Sequence, residues 1–240
     1  DRFIASKLEE RLKSPVDDLD SQVAAVIFDK DGTLLDFAAT WDRGIAEALS
    51  RVAADKRRLA AEALGFDLDA GRALRDAACV HLPNEVLVTM LEPITDARAL
   101  LNDAAATAAK HATAAAHADD VLRALRDNSI PVAVATNDDE QPARNALRAL
   151  GWLDAERPLV QAVFGCDSGF GGKPEPGMLH AAADALGVPA ESCAYVGDAA
   201  GDMVASRRAG FAAAILVGGA EVDAHAPLAD VRIRDLGELI

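Results

Sequence analysis

Six short apolar runs punctuate this chain: Val23–Phe28, Pro131–Ala135, Leu159–Phe164, Cys193–Val196, Ala213–Val217 and Val231–Ile233. Several are apolar at consecutive positions, which suits strands covered by helices on both faces. Between them lie amphipathic stretches. Val121, Leu122 and Leu125 share one helical face, as do Ala143, Leu147 and Leu150. This alternation constrains the core to an α/β, doubly wound, mainly parallel sheet. One gap breaks the rhythm, because from Thr40 to Ala116 only helical spacing is evident. Ile45, Leu49 and Val52 share a face, and Leu59 and Ala63 mark a second helix. Gly65, Gly71, Pro83 and Pro93 interrupt the region, and the alanine-rich Ala104–Ala118 segment reads as a helical return arm. A stretch of ~75 residues is too long for a loop and predicts an inserted α-helical domain. The expected organisation is therefore a core of residues 23–39 and 117–240, an insert of 40–116, and a charged helical extension over 1–22.

Composition narrows the partners. The 240 residues are 51% hydrophobic, ordinary for a globular chain, with a formal net charge of −15. Nothing in that balance offsets phosphate repulsion, so nucleic acid is disfavoured, whereas a small anionic metabolite responds to local charge. Cys79, Cys166 and Cys193 are far apart and form no Cys/His cluster, so buried, inert thiols are expected. No apolar run approaches the ~20 residues needed to span a bilayer. The chain starts at Asp1 without Met, which leaves a removed leader open; the cytoplasm is the default expectation.

The first apolar run stops at Asp29-Lys30-Asp31-Gly32-Thr33. In extended backbone, positions i and i+2 face one side, so both carboxylates can enter one pocket where Gly32 turns the chain. Two close carboxylates repel, and such a site wants a divalent cation or one raised pKa. A calcium loop is excluded, because Leu34, Leu35 and Phe37 offer no side-chain oxygen and no Glu occupies the twelfth position. A solvated strand-to-helix turn uses the same residue types. By strand alternation, Lys30 is expected to point away from the two acids and to be structural.

Three further elements stand where chemistry would need them. Thr136-Asn137-Asp138 follows the second run; its hydroxyl and amide suit an anion, or equally a helix N-cap. Lys173 lies between Gly171-Gly172 and Pro174, although a single loop lysine is usually a solvated charge. Tyr195-Val196-Gly197-Asp198-Ala199-Ala200-Gly201-Asp202 places two more acids at a strand end.

Taken in order, Asp-x-Asp-Gly-Thr, Thr-Asn, Lys-Pro and Gly-Asp-x-x-x-Asp, the set resembles the haloacid dehalogenase-like hydrolase superfamily, in its phosphoglycolate phosphatase-like branch with a helical cap. The resemblance runs from about Val23 to Val217 and is closest from Lys173-Pro174-Glu175-Pro176 to Arg208-Ala209-Gly210. It implies a Rossmann-like core and a Mg²⁺-dependent phosphatase of small phosphomonoesters, acting through an aspartyl-phosphate. Under that resemblance Asp29 is the nucleophile and Asp31 the general acid/base. Mg²⁺ is held by the Asp29 carboxylate, the Asp31 carbonyl and Asp198, with Asp202 as a ligand or supporting group. Thr136, the Asn137 backbone and Lys173 hold phosphoryl oxygens, and Gly32 and Thr33 shape the loop. An apolar residue is usual in that branch where this chain has Lys30.

A magnitude shows why the whole set is needed. A carboxylate about 3.5 Å from a singly charged phosphate oxygen is repelled by roughly 5 kcal/mol at a dielectric near 20. Mg²⁺ and Lys173 would cancel that repulsion. A phosphoglucomutase-like enzyme would share this core. Dehalogenases of the superfamily lack the acid matching Asp31, and phosphonatases need a cap lysine, for which Lys56 and Lys110 carry no motif. A catalytically silent binding protein commonly lacks a key group, and none is missing here. Arg72, Arg75 and His81 could meet an anionic substrate or form an ordinary solvated face. Trp41 and Trp152 are expected to be packing residues. His111, His117, His180 and His225 belong to no motif. The substrate is not fixed, and either a monomer or a homodimer is compatible.

Overall fold

The computed structural model describes residues 23–74, 77–154 and 156–240. The expected N-terminal helix over 1–22 and the side chain of Arg75 lie outside these residues. Among the described residues, six parallel strands form one sheet: β1 (Ala25–Phe28), β4 (Val132–Ala135), β5 (Ala162–Phe164), β6 (Cys193–Gly197), β7 (Ala213–Val217) and β8 (Val231–Ile233). Their order is β5-β4-β1-β6-β7-β8. The sequence thus runs outward from β1 on one side and returns to its other side, the doubly wound arrangement, whose ligands sit beyond the strands' carboxyl ends at the reversal. β1 is central, with Val26 level with Val132 on one flank and Ala194 on the other.

The alternation along each strand feeds two cores. Val26, Phe28, Val132 and Val134 join Val121, Leu122 and Leu125 of α6 (Ala118–Asp127) and Leu147 of α7 (Glu140–Ala149). Ala25, Ile27, Ala133 and Tyr195 face Met178 and Leu179 of α8 (Gly177–Leu186) and Met203 of α9 (Ala200–Ala209). Each such large apolar side chain, when fully buried, contributes about 1.5–3 kcal/mol. Trp152 fills the first core and donates through Nε1 to Asp119 at 2.9 Å.

Between β1 and α6 lies an insert with its own core. It comprises α1 (Phe37–Arg51), α2 (Ala54–Leu64), β2 (Phe66–Asp67), β3 (Arg72–Ala73), α3 (Ala78–His81), α4 (Asn84–Leu91) and α5 (Ala97–Lys110). Ile45, Leu49 and Val52 face inward as expected. The second expected helix forms as α2, on which Ala60, Ala61 and Leu64 are buried and Leu59 is exposed. The helix boundaries move. Asp36 accepts from Ala39 N at 3.0 Å and starts α1 at Phe37, ahead of the expected boundary. Asp96 caps α5 in the same way, and that helix ends at Lys110 instead of running to Ala118. The β2–β3 hairpin was not expected, because two-residue strands carry no readable period; Asp67 closes it by accepting from Asp69 N and Ala70 N.

The entering and leaving strands of the insert lie side by side. Leu35 bridges Ala114 in antiparallel fashion, Asp36 N donates to Thr113 O at 3.0 Å, and Ala115 N donates to Leu34 O at 2.9 Å. No described helix is long and apolar enough to cross a membrane.

Candidate active site

Asp29 emerges at the end of β1, held in the sheet by its own N–H to Val196 O at 2.8 Å. Its carboxylate meets the Lys173 ammonium at 2.5 Å. Lys173 is itself buried, contrary to the usual fate of a loop lysine, and makes two further contacts: Asp202 Oδ1 at 2.7 Å and the Tyr195 hydroxyl at 3.0 Å. All three ammonium protons thus have partners. Asn137 sets the backbone of this lysine, accepting from Lys173 N at 2.8 Å and donating to Lys173 O at 3.2 Å. Arg208 holds the next turn through Pro174 O and Glu175.

The second strand end supplies Asp198 and Asp202. Asp202 lies in the first turn of α9, where its Oδ2 accepts from Ala199 N at 3.0 Å. Gly197 is required here, since a Cβ would sit 2.4 Å from Asp202 Oδ2. Gly32 is required on the facing loop: it has φ +80°, and a Cβ would lie 2.2 Å from Asp198 Oδ2. Thr33 Oγ1 donates to Asp198 Oδ1 at 3.4 Å. Gly32 and Thr33 therefore shape the bed of Asp198, the loop role the sequence resemblance implies, and neither is among the described residues lining the cleft.

Carboxylate oxygens of Asp29, Asp198 and Asp202 lie within 4.8 Å of one another. Burial, with Asp202 and Asp31 nearby and against the pull of Lys173, pushes the Asp29 carboxyl up to about 7. Burial and the charges of Asp29 and Asp202 hold Asp198 well above the ordinary carboxylate range. Burial works against the Lys173 ammonium, but Asp202 and Asp29 more than offset it and keep its pKa high. Hard oxygen donors under mutual repulsion are the chemistry a Mg²⁺ ion relieves, so the residues fit such an ion. Asp29 and Asp198 are the better-suited ligands. Both Asp202 oxygens already have protein partners, which suits a supporting place for it.

Lys30 and Trp41 depart from expectation. Past Asp29 the chain leaves the extended conformation, and Leu34 N and Leu35 N both donate to Lys30 O, so strand alternation no longer applies. Lys30 turns inward, 1% exposed, donating to Asp31 Oδ2 and lying 2.9 Å from Asp138 Oδ2. Burial opposes its charge, yet Asp138 and Asp31 together raise its pKa. Burial pushes Asp138 up to about 6 against the pull of Lys30. Trp41 Nε1 donates to Asp31 Oδ1 at 2.8 Å, so this indole does more than pack.

The acids and Lys173 border a cleft of about 150 Å³. Asp29, Asp31, Thr136, Asn137, Lys173, Asp198 and Asp202 all line it from the core, opposite Phe37 and the Cys79–Leu82 segment of the insert. Thr136 is buried, its N–H bonded to Phe164 O and its Oγ1 accepting from Asp138 N at 3.2 Å. His81 and His225 reach the cleft; Arg72 is exposed and is not among its described lining residues. Further placements escaped the sequence reading. Asp138 stood inside a quoted motif, His225 carried no signal, and Tyr195 was detectable as the one polar-tipped residue in an otherwise aliphatic strand. Cys79 borders the cleft, and burial pushes its thiol up to about 12, so it is no nucleophile at neutral pH.

A doubly wound parallel sheet with an acid cluster at its reversal defines a Rossmann-like α/β core with a candidate cation site. The family model for haloacid dehalogenase-like hydrolase matches residues 23–210, and the chain belongs to that family of hydrolases. It is 29% identical over 224 residues to a phosphoglycolate phosphatase of Xanthomonas campestris pv. campestris, covering 90% of this chain and 94% of the relative. A phosphoglycolate phosphatase of Rhodospirillum rubrum is 36% identical over 96 residues, which is 40% of this chain and 38% of that relative. A hydrolase structure from Pseudomonas syringae superposes with a TM-score of 0.66 at 24% identity, covering 90% of this chain and 95% of that one.

Proposed function

We propose that this chain is a Mg²⁺-dependent phosphatase of small phosphomonoesters, phosphoglycolate-like or sugar phosphates, acting in the cytoplasm as a monomer or homodimer. The observation that carries the reading is the meeting of four separate loops on one cleft: Asp29 and Asp31, Thr136, Lys173, and Asp198. The names of the similar phosphatases support the same class.

In this reading Asp29 attacks phosphorus, forming an aspartyl-phosphate as the bond to the alcohol oxygen breaks. Lys173, already against Asp29, neutralises one oxygen of the incoming phosphoryl group, and the Thr136 hydroxyl holds another. Asp31 delivers a proton to the departing alkoxide, then takes one from the water that hydrolyses the aspartyl-phosphate. Mg²⁺, bound by the Asp29 and Asp198 carboxylates and the Asp31 carbonyl, would supply charge neutralisation for phosphate and nucleophile. The Cys79–Leu82 segment closes over the leaving group and excludes water.

A panel of phosphorylated metabolites plus p-nitrophenyl phosphate, assayed with Mg²⁺ and with a chelator, tests the class. Mg²⁺-dependent hydrolysis is expected, and Asp29→Asn is expected to abolish it with the fold intact. Substantial turnover by that variant would remove Asp29 from the nucleophile's role.

A further inference from the structure

A buried ammonium with two carboxylates and an indole around it stands beside the reaction centre and takes no part in the chemistry above. Lys30 is 1% exposed and is not among the described residues lining the cleft, so it meets no substrate. Its two neighbours, Asp31 and Asp138, do line the cleft. Holding an ammonium out of water costs several kcal/mol unless its partners are well placed. An apolar side chain would fill the same volume without that cost. The placement therefore calls for a reason beyond packing.

We propose that Lys30 is a positioning residue for leaving-group protonation: wedged between Asp31 and Asp138, it fixes the carboxyl that delivers the proton, with Trp41 as the second anchor. The proposal rests on the phosphatase reading and deepens it. Lys30 Nζ takes Asp31 Oδ2, and Trp41 Nε1 takes Oδ1 at 2.8 Å. Two anchors on two oxygens fix both the place and the plane of the carboxyl. Each carboxylate oxygen has capacity for a further partner, and Asp31 lines the cleft. Asp138, 2.9 Å from Lys30, gives the ammonium a second carboxylate and holds it in an ion cluster separate from that of Asp29 and Lys173. In the step concerned, the bond from Asp29 oxygen to phosphorus forms and the bond from phosphorus to the alcohol oxygen breaks. The Asp31 proton passes to that oxygen, giving a neutral alcohol and an Asp31 carboxylate. Trp41 belongs to α1 of the insert, so the anchor also ties Asp31 to the element that covers the cleft.

The test uses the leaving group. An alkoxide needs its proton in order to depart, whereas p-nitrophenolate leaves without one. Since kcat/KM reports steps only through departure of the alcohol, later hydrolysis of the aspartyl-phosphate does not enter. With Mg²⁺ present, Lys30→Met is expected to lower kcat/KM for glycerol phosphate by about 100-fold, the effect of a misplacement near 1 Å. For p-nitrophenyl phosphate the same variant should stay within about 5-fold of wild type, a change near 1 kcal/mol. Lys30→Arg should recover about 10-fold of the glycerol phosphate loss, one anchor hydrogen bond being worth about that much. Trp41→Phe should lower the glycerol phosphate value alone by about 5-fold, and it carries the test if Lys30→Met does not fold. Equal losses on both substrates, or full activity on glycerol phosphate, would overturn the proposal. A wild-type chain that hydrolyses neither ester would instead overturn the phosphatase reading.

Discussion

Asp29→Asn should make this protein more stable while stopping its chemistry. In the folded chain the Asp29 carboxyl titrates at about 7, against an ordinary value of 3.8, because burial and its acidic neighbours outweigh Lys173. Between those values the folded state holds a proton that the unfolded state has released. Stability therefore falls as pH rises through this window and levels off above it. About three pH units at about 1.4 kcal/mol each make a penalty near 4 kcal/mol, fully present above pH 7 and absent below pH 4. Asparagine has no such titration, and its carbonyl oxygen can still accept from Lys173. The gain is thus expected to reach about 2–4 kcal/mol at pH 8, allowing for the lost attraction to the ammonium. Urea unfolding of both chains in a chelator, from pH 4.5 to 8.5, measures it; the chelator keeps bound metal from stabilising only the wild type. A stability gap that stays flat with pH, or an Asn variant that is the weaker one at pH 8, would refute the reasoning.

Gly32→Ala should lose stability and Mg²⁺ activation together. The left-handed backbone alone costs about 1–2 kcal/mol, and the new Cβ falls on Asp198 Oδ2; urea unfolding and the Mg²⁺ dependence of the rate report the two effects. Tyr195→Phe should cost about 1–3 kcal/mol and slow turnover. The change strands the Ala135 carbonyl, 3.0 Å from the lost hydroxyl, and removes one of the three partners of Lys173. Wild-type stability in that variant would show the hydroxyl to be idle.

The sheet was legible because its strands are nearly continuous apolar runs, a signal that needs no knowledge of neighbours. The acids at the ends of β1 and β6 were legible for a related reason: each group begins where such a run stops and has a glycine within a few residues. Lys30 was misread because the alternation rule was carried two residues past the strand, into a turn. Trp41 and Asp138 acquire their roles from partners on other elements, and no local pattern announces a long-range hydrogen bond. Tyr195 is the intermediate case. Its position in a motif was visible, but the two acids and the lysine that surround its hydroxyl come together only in three dimensions.

The paired crossing at Leu35 and Ala114 has a consequence for how such chains diversify. Because the way in and the way out are hydrogen-bonded to each other, the chain enters and leaves the insert through one paired junction. The pairing fixes the separation of the two crossing segments whatever lies beyond them. It also makes the distal part exchangeable: a helical block of another size could be grafted onto the same two residues, and the strands beneath would register no change in the distance they must span.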